Sequence, residues 1–455
     1  MHRDKPQHIA MPKELDAKIW AIAWPAIIAN ISIPLLGLVD AALLGHLDSP
    51  THLAAVAVGG AVLSFLYWGF SFLRMGTTGE VARANGAGDV TRALLALARS
   101  ALIALSLAAL LLLFQGPLLA LGFAIMGTRA EIQIPADNYA SLRLLSAPAV
   151  LLTYTAVGWF IGHQDTRWPM RILIITNLIN IVLDALFILG LGLASTGAAI
   201  ATVIAEYVGL VIAIIGLRKQ WISLFSSALW AQLRELKPYL HLLHNNLNLF
   251  FRTLTLLFAF AFFTAAGESL GPEVVAANAV MMQFLLFAAF AMDGFAYAAE
   301  GLAGEALGSG NTKRFFAVSR RCALWTGVSA FVISAIILLG KPWLFPLLTG
   351  LPEVLRIMSA QSLWLVALPL IAAPSYLLDG LFIGAGATRA MMLSMLFSAL
   401  VVYLPCYYAS TALGNQGLWL SFALFNASRG ITLAVSFVYF TRQRRWQHWS
   451  QDQAT

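Results

Sequence analysis

Apolar runs of about 20 residues recur along this chain, and a run above about 18 residues is long enough to cross a bilayer as a helix. In hydrocarbon every backbone N–H and C=O must be satisfied within the protein, and a helix satisfies its own. A transmembrane barrel needs alternating strands of about 10 residues, and none is readable. Only 11% of the 455 residues are charged, against roughly 25% in a soluble domain. That is too little charge to cover a water-soluble surface of this size. The expected class is an all-α polytopic membrane protein; a soluble enzyme, a disordered chain and a disulfide-stapled secreted domain are excluded. The two cysteines, Cys322 and Cys406, both fall in apolar runs, and no CxxC occurs, so neither a disulfide framework nor a zinc site is expected. Arg3, Lys5, Lys13 and Lys18 could pass for the start of a signal peptide. The apolar run after them continues to Gly45 without a small-residue cleavage site, and reads as a full span.

Twelve spans are expected. The first six cover residues 19–45, 53–75, 97–123, 139–162, 172–193 and 198–217, and the second six 241–267, 274–303, 320–343, 360–384, 390–412 and 418–440. Net charge is +7, which in a membrane protein marks cytoplasmic loops before it suggests nucleic acid. Of 28 Lys and Arg residues, 22 fall at the N-terminus, in alternate loops and in the C-terminal tail. Only Arg129, Lys341 and Arg356 lie in opposite-side loops, and Arg143, Arg252 and Arg429 lie within or at the ends of spans. Both termini are therefore expected in the cytoplasm.

The chain also repeats itself at an offset of 222 residues. Phe160-Ile161-Gly162 matches Phe382-Ile383-Gly384, Thr166-Arg167 matches Thr388-Arg389, and Gly86, Gly88 and Arg92 match Gly308, Gly310 and Arg314. Six spans per repeat return the chain to its starting side, so the two six-helix bundles should be related by a pseudo-twofold axis along the membrane normal. Internal repeats of this kind are a transporter signature. The expected organisation is a six-helix lobe over 1–217, holding the cation or proton site, a cytoplasmic linker over 218–240, a second six-helix lobe over 241–440 and a tail over 441–455.

Ionisable residues inside a span cost about 2.5–3.5 kcal/mol or more, and they mark wet cavities or paired sites. Asn177, Asn180 and Asp184 recur at i, i+3 and i+7, on one helical face of the fifth span, and Thr202 of the sixth can complete the cluster. The rival reading is an interhelical hydrogen-bond seam. Asp40 stands in the first span with nothing basic nearby in sequence, and Pro25 and Pro34 should bend that span. Under the offset, Phe262 stands opposite Asp40 and Cys406 opposite Asp184, so the backbone plan is duplicated and this chemistry is not. Asp293 and Glu300 share a face of the eighth span, with Arg252 as a partner candidate; with Tyr139 they form a secondary set. Asp379 and Glu206 are single acids with no local cluster. His241 and His244 have ligand spacing but adjoin the polar start of a span, and a metal site there is not expected. HExxH, GxxxxGK[ST] and GxSxG are absent, so no enzyme is expected and pumping must draw on an ion gradient. Gly86-Ala87-Gly88-Asp89 reads as a turn between helices.

The run Ile31-Ser32-Ile33-Pro34-Leu35-Leu36-Gly37-Leu38-Val39-Asp40, followed by Gly45-His46-Leu47, resembles the first span of multidrug and toxic compound extrusion (MATE) transporters, in their DNA-damage-inducible F (DinF) branch. Ala276-Ala277-Asn278-Ala279-Val280 and Asp293-Gly294-Phe295-Ala296-Tyr297-Ala298-Ala299-Glu300 carry the same resemblance. In place of an Asn-Arg-Asp-like start to the seventh span, this chain has Asn246-Leu247-Asn248. The resemblance implies two bundles around a V-shaped cleft in a bacterial inner membrane. It implies a monomer without cofactors that exports cationic or amphipathic small molecules in exchange for protons, with sodium as the alternative coupling ion. It assigns Asp40 as the first-helix acid and Asn180, Asp184 and Thr202 to the polar cluster, with Asn177 beside them and Asp40 and Asp184 as possible sodium ligands. A lipid-linked oligosaccharide flippase would favour a cavity rich in Arg and Lys, where only Arg143, Arg252 and Arg429 are available. A channel would need no proton-linked acid.

Overall fold

In the computed structural model residues 12–45, 50–224 and 226–446 are described, and all their regular elements are helical. The first half holds α1 (Pro12–Gly45), α2 (Pro50–Gly69), α3 (Phe72–Ala87), α4 (Val90–Leu113), α5 (Gln115–Ile125), α6 (Ala130–Leu144), α7 (Ala147–Gly162), α8 (Arg167–Asp184) and α9 (Ala194–Gly216). Two short helices, α10 (Trp221–Leu224) and α11 (Ser227–Leu233), occupy the expected linker. The second half holds α12 (Lys237–Glu268), α13 (Pro272–Gly308), α14 (Thr312–Leu348), α15 (Pro352–Ala385), α16 (Thr388–Phe397), α17 (Leu404–Ala409) and α18 (Asn415–Arg442). Among the described residues ten helical segments are long and apolar enough to cross a membrane, with α2 and α3 counted as one, and eleven if α6 and α7 form a single bent span. With α1, a helix of 34 residues, these are the twelve spans that the apolar runs predict.

The differences lie at the ends and breaks. The fourth span bends by 49° between α6 and α7. Pro148 sits in the first turn of α7, where its missing N–H costs nothing, but its ring cannot follow a continuous helix. The third span begins at Val90, earlier than expected, and ends at Leu113 before the separate α5. The fifth and eleventh spans each contain a π-helical turn, over Ala185–Gly190 and Ser398–Tyr403. Helices overrun their apolar windows because polar turns continue them: α14 starts at Thr312, where the Asn311 side chain accepts from the Arg314 N–H at 2.9 Å and caps the helix.

The chain divides into two units. One comprises Ile28–Val81 and Val90–Asn246. Within it α8 packs on α9, α2 on α6, and α7 on both α4 and α9. Close approach rests on small residues: a Cβ on Gly158 would lie 2.5 Å from the Arg74 carbonyl oxygen, and one on Gly209 2.5 Å from the Thr176 hydroxyl. The other unit comprises Met1–Ile27, Ala82–Asp89 and Leu247–Thr455. There α13 packs on α14 and α15, and α15 packs on α18. Gly380 and Gly384 of α15 lie against the backbones of Ala296 and Glu300 of α13, each 2.5 Å from a carbonyl oxygen by the same measure. Phe263, Tyr403, Trp419, Phe422 and Phe425 fill the core of this unit.

The duplication is written into the backbone. Gly88 and Gly310, equivalent under the offset, both have φ of +70° at the turn after a helix. Gln164 and Gly386 are likewise equivalent and both left-handed, at +63° and +76°, just after α7 and α15.

Candidate functional site

The fifth span positions the first polar centre. Asn177, Asn180 and Asp184 fall on one face of α8, and the helix buries that face; Asn180 is 1% exposed and Asp184 0%. The Asn180 amide donates to the Thr202 hydroxyl of α9 at 3.2 Å, and that hydroxyl donates to the Ala198 carbonyl at 2.9 Å. The Asn180 side-chain oxygen is buried with no hydrogen-bond partner among the described residues. Asn177 donates to the hydroxyl and the carbonyl of Ser32 on α1, at 3.0 and 3.3 Å. Asp184 is the last α-helical residue before the π turn, a kind of irregularity common at functional sites. Four of the five expected coupling residues are thus described, and Asn177, Asn180, Asp184 and Thr202 stand on two packed helices. The fifth, Asp40, is carried by α1, which runs as one helix through Pro25 and Pro34; the side chains of Asp40, Pro34 and His241 lie outside the described residues.

A second centre lies in the same unit. The Arg143 guanidinium of α6 donates to the Tyr139 hydroxyl at 2.9 Å and stands over its ring at 5.8 Å. Glu206 of α9 and Tyr67 of α2 also act on it electrostatically. Tyr139 therefore serves as a seat for Arg143, and Glu206, a lone acid in sequence, faces a cation contributed by another helix.

The third centre lies in the second half. Asp379 of α15 forms ion pairs with Arg252 of α12 and with Arg429 of α18, the latter at 3.0 Å. Arg429 also donates to the Asn426 side chain at 3.2 Å. Asp379 is 7% exposed and Arg429 3%. Tyr376, one turn before Asp379, stands in the field of Asp293, Asp379, Arg252 and Arg429. Arg252, weighed in sequence beside Asp293 and Glu300, has its ion pair with Asp379. Glu300 is buried on α13 at 1% exposure, and Asp293, two turns earlier, is half-buried. Periodicity within one span could not find this centre, because its members come from three spans; the signal in sequence was the rarity of Arg in apolar runs.

Chemically, the first centre offers a carboxylate, amide oxygens and a hydroxyl, which suits a proton or a hard cation. The third offers guanidinium donors. Among the described residues no group of three or more His, Cys, Asp and Glu side chains could hold a metal ion.

A family model described as MatE matches the chain twice, over residues 25–186 and 249–408, in step with the sequence repeat. The chain is 37% identical to DNA damage-inducible protein F of Escherichia coli, over 95% of this chain and 94% of that protein. It is 24% identical to the probable multidrug resistance protein NorM of Thermotoga maritima, over 90% and 89% of the two chains. Among solved structures, the Vibrio cholerae MATE transporter VcmN in the bent form superposes with a TM-score of 0.83 at 22% identity, over 96% of this chain and 99% of that one. On the double match and the 37% identity across nearly its whole length, this chain belongs to the MatE family of membrane transporters.

Proposed function

We propose that this transporter is a secondary active antiporter that exports amphipathic or cationic compounds in exchange for protons. Asp40 and Asp184 are the coupling acids, and Asn177, Asn180 and Thr202 are their polar surround. The observation that carries the reading is Asp184, a carboxyl group wholly withdrawn from solvent at the end of α8, on one face with two buried asparagines. An ionisable group in that position is costly inside a membrane and marks a place where a proton or a cation is handled. A ligand shifts a conformational equilibrium only by its differential affinity for the two states, and one proton on a buried acid supplies that difference. Ionised acids favour capture of a cationic compound, and protonated acids its release. The bonds from Asn177 to Ser32 link the cluster to α1, the helix that carries Asp40, Pro25 and Pro34.

The test is transport by purified protein in sodium-free liposomes with ethidium as the cationic probe. An imposed pH gradient should drive exchange. Asp40→Asn and Asp184→Asn should abolish it, and Cys406→Ser, at the position matching Asp184 in the second half, should leave most of it. Equal loss in Asp184→Asn and Cys406→Ser would show the coupling site to be placed wrongly. A second reading, sodium coupling, is favoured by the buried Asn180 oxygen, which has no hydrogen-bond donor among the described residues and is a ligand type that hard cations take. Exchange that ignores the pH gradient and follows a sodium gradient would select it.

A further inference from the structure

The segment between the two repeats, residues 218–240, has no role in that scheme, and one side of it is fixed to the protein. α11 buries Leu229 and Leu233, one turn apart, and packs on α4. The Ser226 side chain caps it by accepting from the Leu229 N–H at 3.4 Å. From α4 the Arg99 guanidinium donates to the Gln232 carbonyl at 3.1 Å and stands over the Tyr239 ring at 5.6 Å. With that side held, α11 exposes Trp230 and Arg234, also one turn apart. The exposed residues of the segment are of two kinds. Trp221, Ile222, Trp230 and Leu236 are apolar, and Ile222 is 90% exposed. Arg218, Lys219, Arg234 and Lys237 are basic and exposed, and Glu235 is the single acid, so four cations less one anion leave +3. Apolar area left in water is unfavourable, and indole rings settle at the headgroup level of a bilayer. Cations clustered beside a membrane span are drawn to an anionic lipid surface. A bilayer interface with anionic headgroups satisfies both sets at once.

We propose that residues 218–240 form a lipid-recognition surface for anionic phospholipids of the phosphatidylglycerol class. Arg218, Lys219, Arg234 and Lys237 bind the headgroup phosphates, and Trp221, Ile222 and Trp230 enter the headgroup layer. Arg99 is a positioning residue, which fixes the segment on α4 through Gln232 and Tyr239. This function belongs to the linker and stands apart from the coupling acids and from the exchange that they perform.

The experiment uses the full-length chain with Cys322→Ala and Cys406→Ala, carrying a bimane label at Ile222→Cys, in nonionic detergent. It is titrated with phosphatidylglycerol or with phosphatidylcholine of the same acyl chains. Bimane emission should shift to the blue as the site enters lipid. The midpoint for phosphatidylglycerol should lie at least about tenfold below that for phosphatidylcholine, since each cation near an anionic surface contributes about fivefold. Neutralising the segment by Arg218→Gln, Lys219→Gln, Arg234→Gln and Lys237→Gln together should remove the preference. Removing as many exposed charges at other turns, by Lys313→Gln, Arg389→Gln, Arg442→Gln and Arg444→Gln, should leave it. Equal midpoints for the two lipids would overturn the proposal. So would a preference that survives neutralisation of the segment, or one that the second set removes equally, which would reduce the effect to net charge. A blue shift produced by polyglutamate without lipid would assign the surface to an acidic protein partner and overturn the proposal as well. No transport enters the readout, so its outcome and that of the exchange experiment are independent.

Discussion

Asp16 stands in the first turns of α1, ahead of the apolar stretch. It accepts from Arg321 Nε at 2.7 Å and from its Nη2, and from the Trp325 indole at 3.0 Å. These bonds, the Arg321 bond foremost, hold its carboxyl below the usual carboxylate range against a smaller cost of burial. A depressed folded value means that the stability contributed is fully present above the ordinary Asp value of about 3.9 and is lost as pH falls through the lower folded value. Unfolding midpoints followed from neutral pH into that acid range should therefore drop more steeply for the native protein than for Asp16→Asn. Parallel curves would remove the role. The same pair shows what sequence can and cannot give at this scale. Asn177, Asn180 and Asp184 were legible because helical periodicity is local. Asp16 and Arg321 are 305 residues apart, Asp379 and Arg252 127, and Asp379 and Arg429 50. No periodicity spans such distances, so Asp379 and Glu206 look solitary in the sequence; the packing of helices pairs Asp379 with two arginines and brings Glu206 into the field of Arg143.

Helix ends show the corresponding limit at the scale of elements. An apolar window reports the thickness of hydrocarbon, about 30 Å, and a helix continues past it wherever polar residues keep the turn. The glycines at these ends carry information that composition hides. A Cβ on Gly86, in the last turn of α3, would lie 2.0 Å from the Glu305 carbonyl oxygen, and one on Gly308, at the end of α13, 2.0 Å from that of Arg83. Gly86 corresponds to Gly308 and Arg83 to Glu305 under the 222-residue offset, so the same contact is made twice, once from each repeat. Arg83 then donates to the Gly384 carbonyl at 3.0 Å, fixing the crossing to α15. Backbone cannot yield as a side chain can. Gly86→Ala and Gly308→Ala should each destabilise the fold by about 1–3 kcal/mol, the range for overpacked sites, and by similar amounts. Gly60→Ala, with open space around it, should be neutral or slightly stabilising through helix propensity. Thermal unfolding monitored by size-exclusion recovery checks this, and a Gly86→Ala midpoint equal to that of Gly60→Ala would disprove the crossing.

Over the whole molecule, charge and parity together predict which loops face which side. The turns after α3, α7, α9, α13 and α15 are flanked by Arg83 and Arg92, Arg167 and Arg171, Arg218 and Lys219, Lys313 and Arg314, and Arg389; the end of α18 carries Arg442. The turns after α5, α14 and the π segment of the fifth span are flanked by far fewer: Arg129 lies in the first, and Lys341 of α14 and Arg356 of α15 stand on either side of the second. Lys and Arg near span ends tend to orient a membrane protein with their side towards the cytoplasm, and on that rule an even number of spans predicts both termini there. Twelve spans in two repeats of six then require every equivalent pair of loops to share a side. A variant lacking Cys322 and Cys406 provides the background for the test, in intact cells with a membrane-impermeant maleimide. Leu191→Cys and Leu351→Cys, both at well-exposed positions in the charge-poor turns, should be labelled from outside. Arg218→Cys and Lys313→Cys, also exposed, should react only once the membrane is opened. Labelling of Lys313→Cys in intact cells would break the charge assignment. Opposite sidedness of Leu191→Cys and Leu351→Cys would break the parity argument as well, because both follow an odd number of spans from the same terminus.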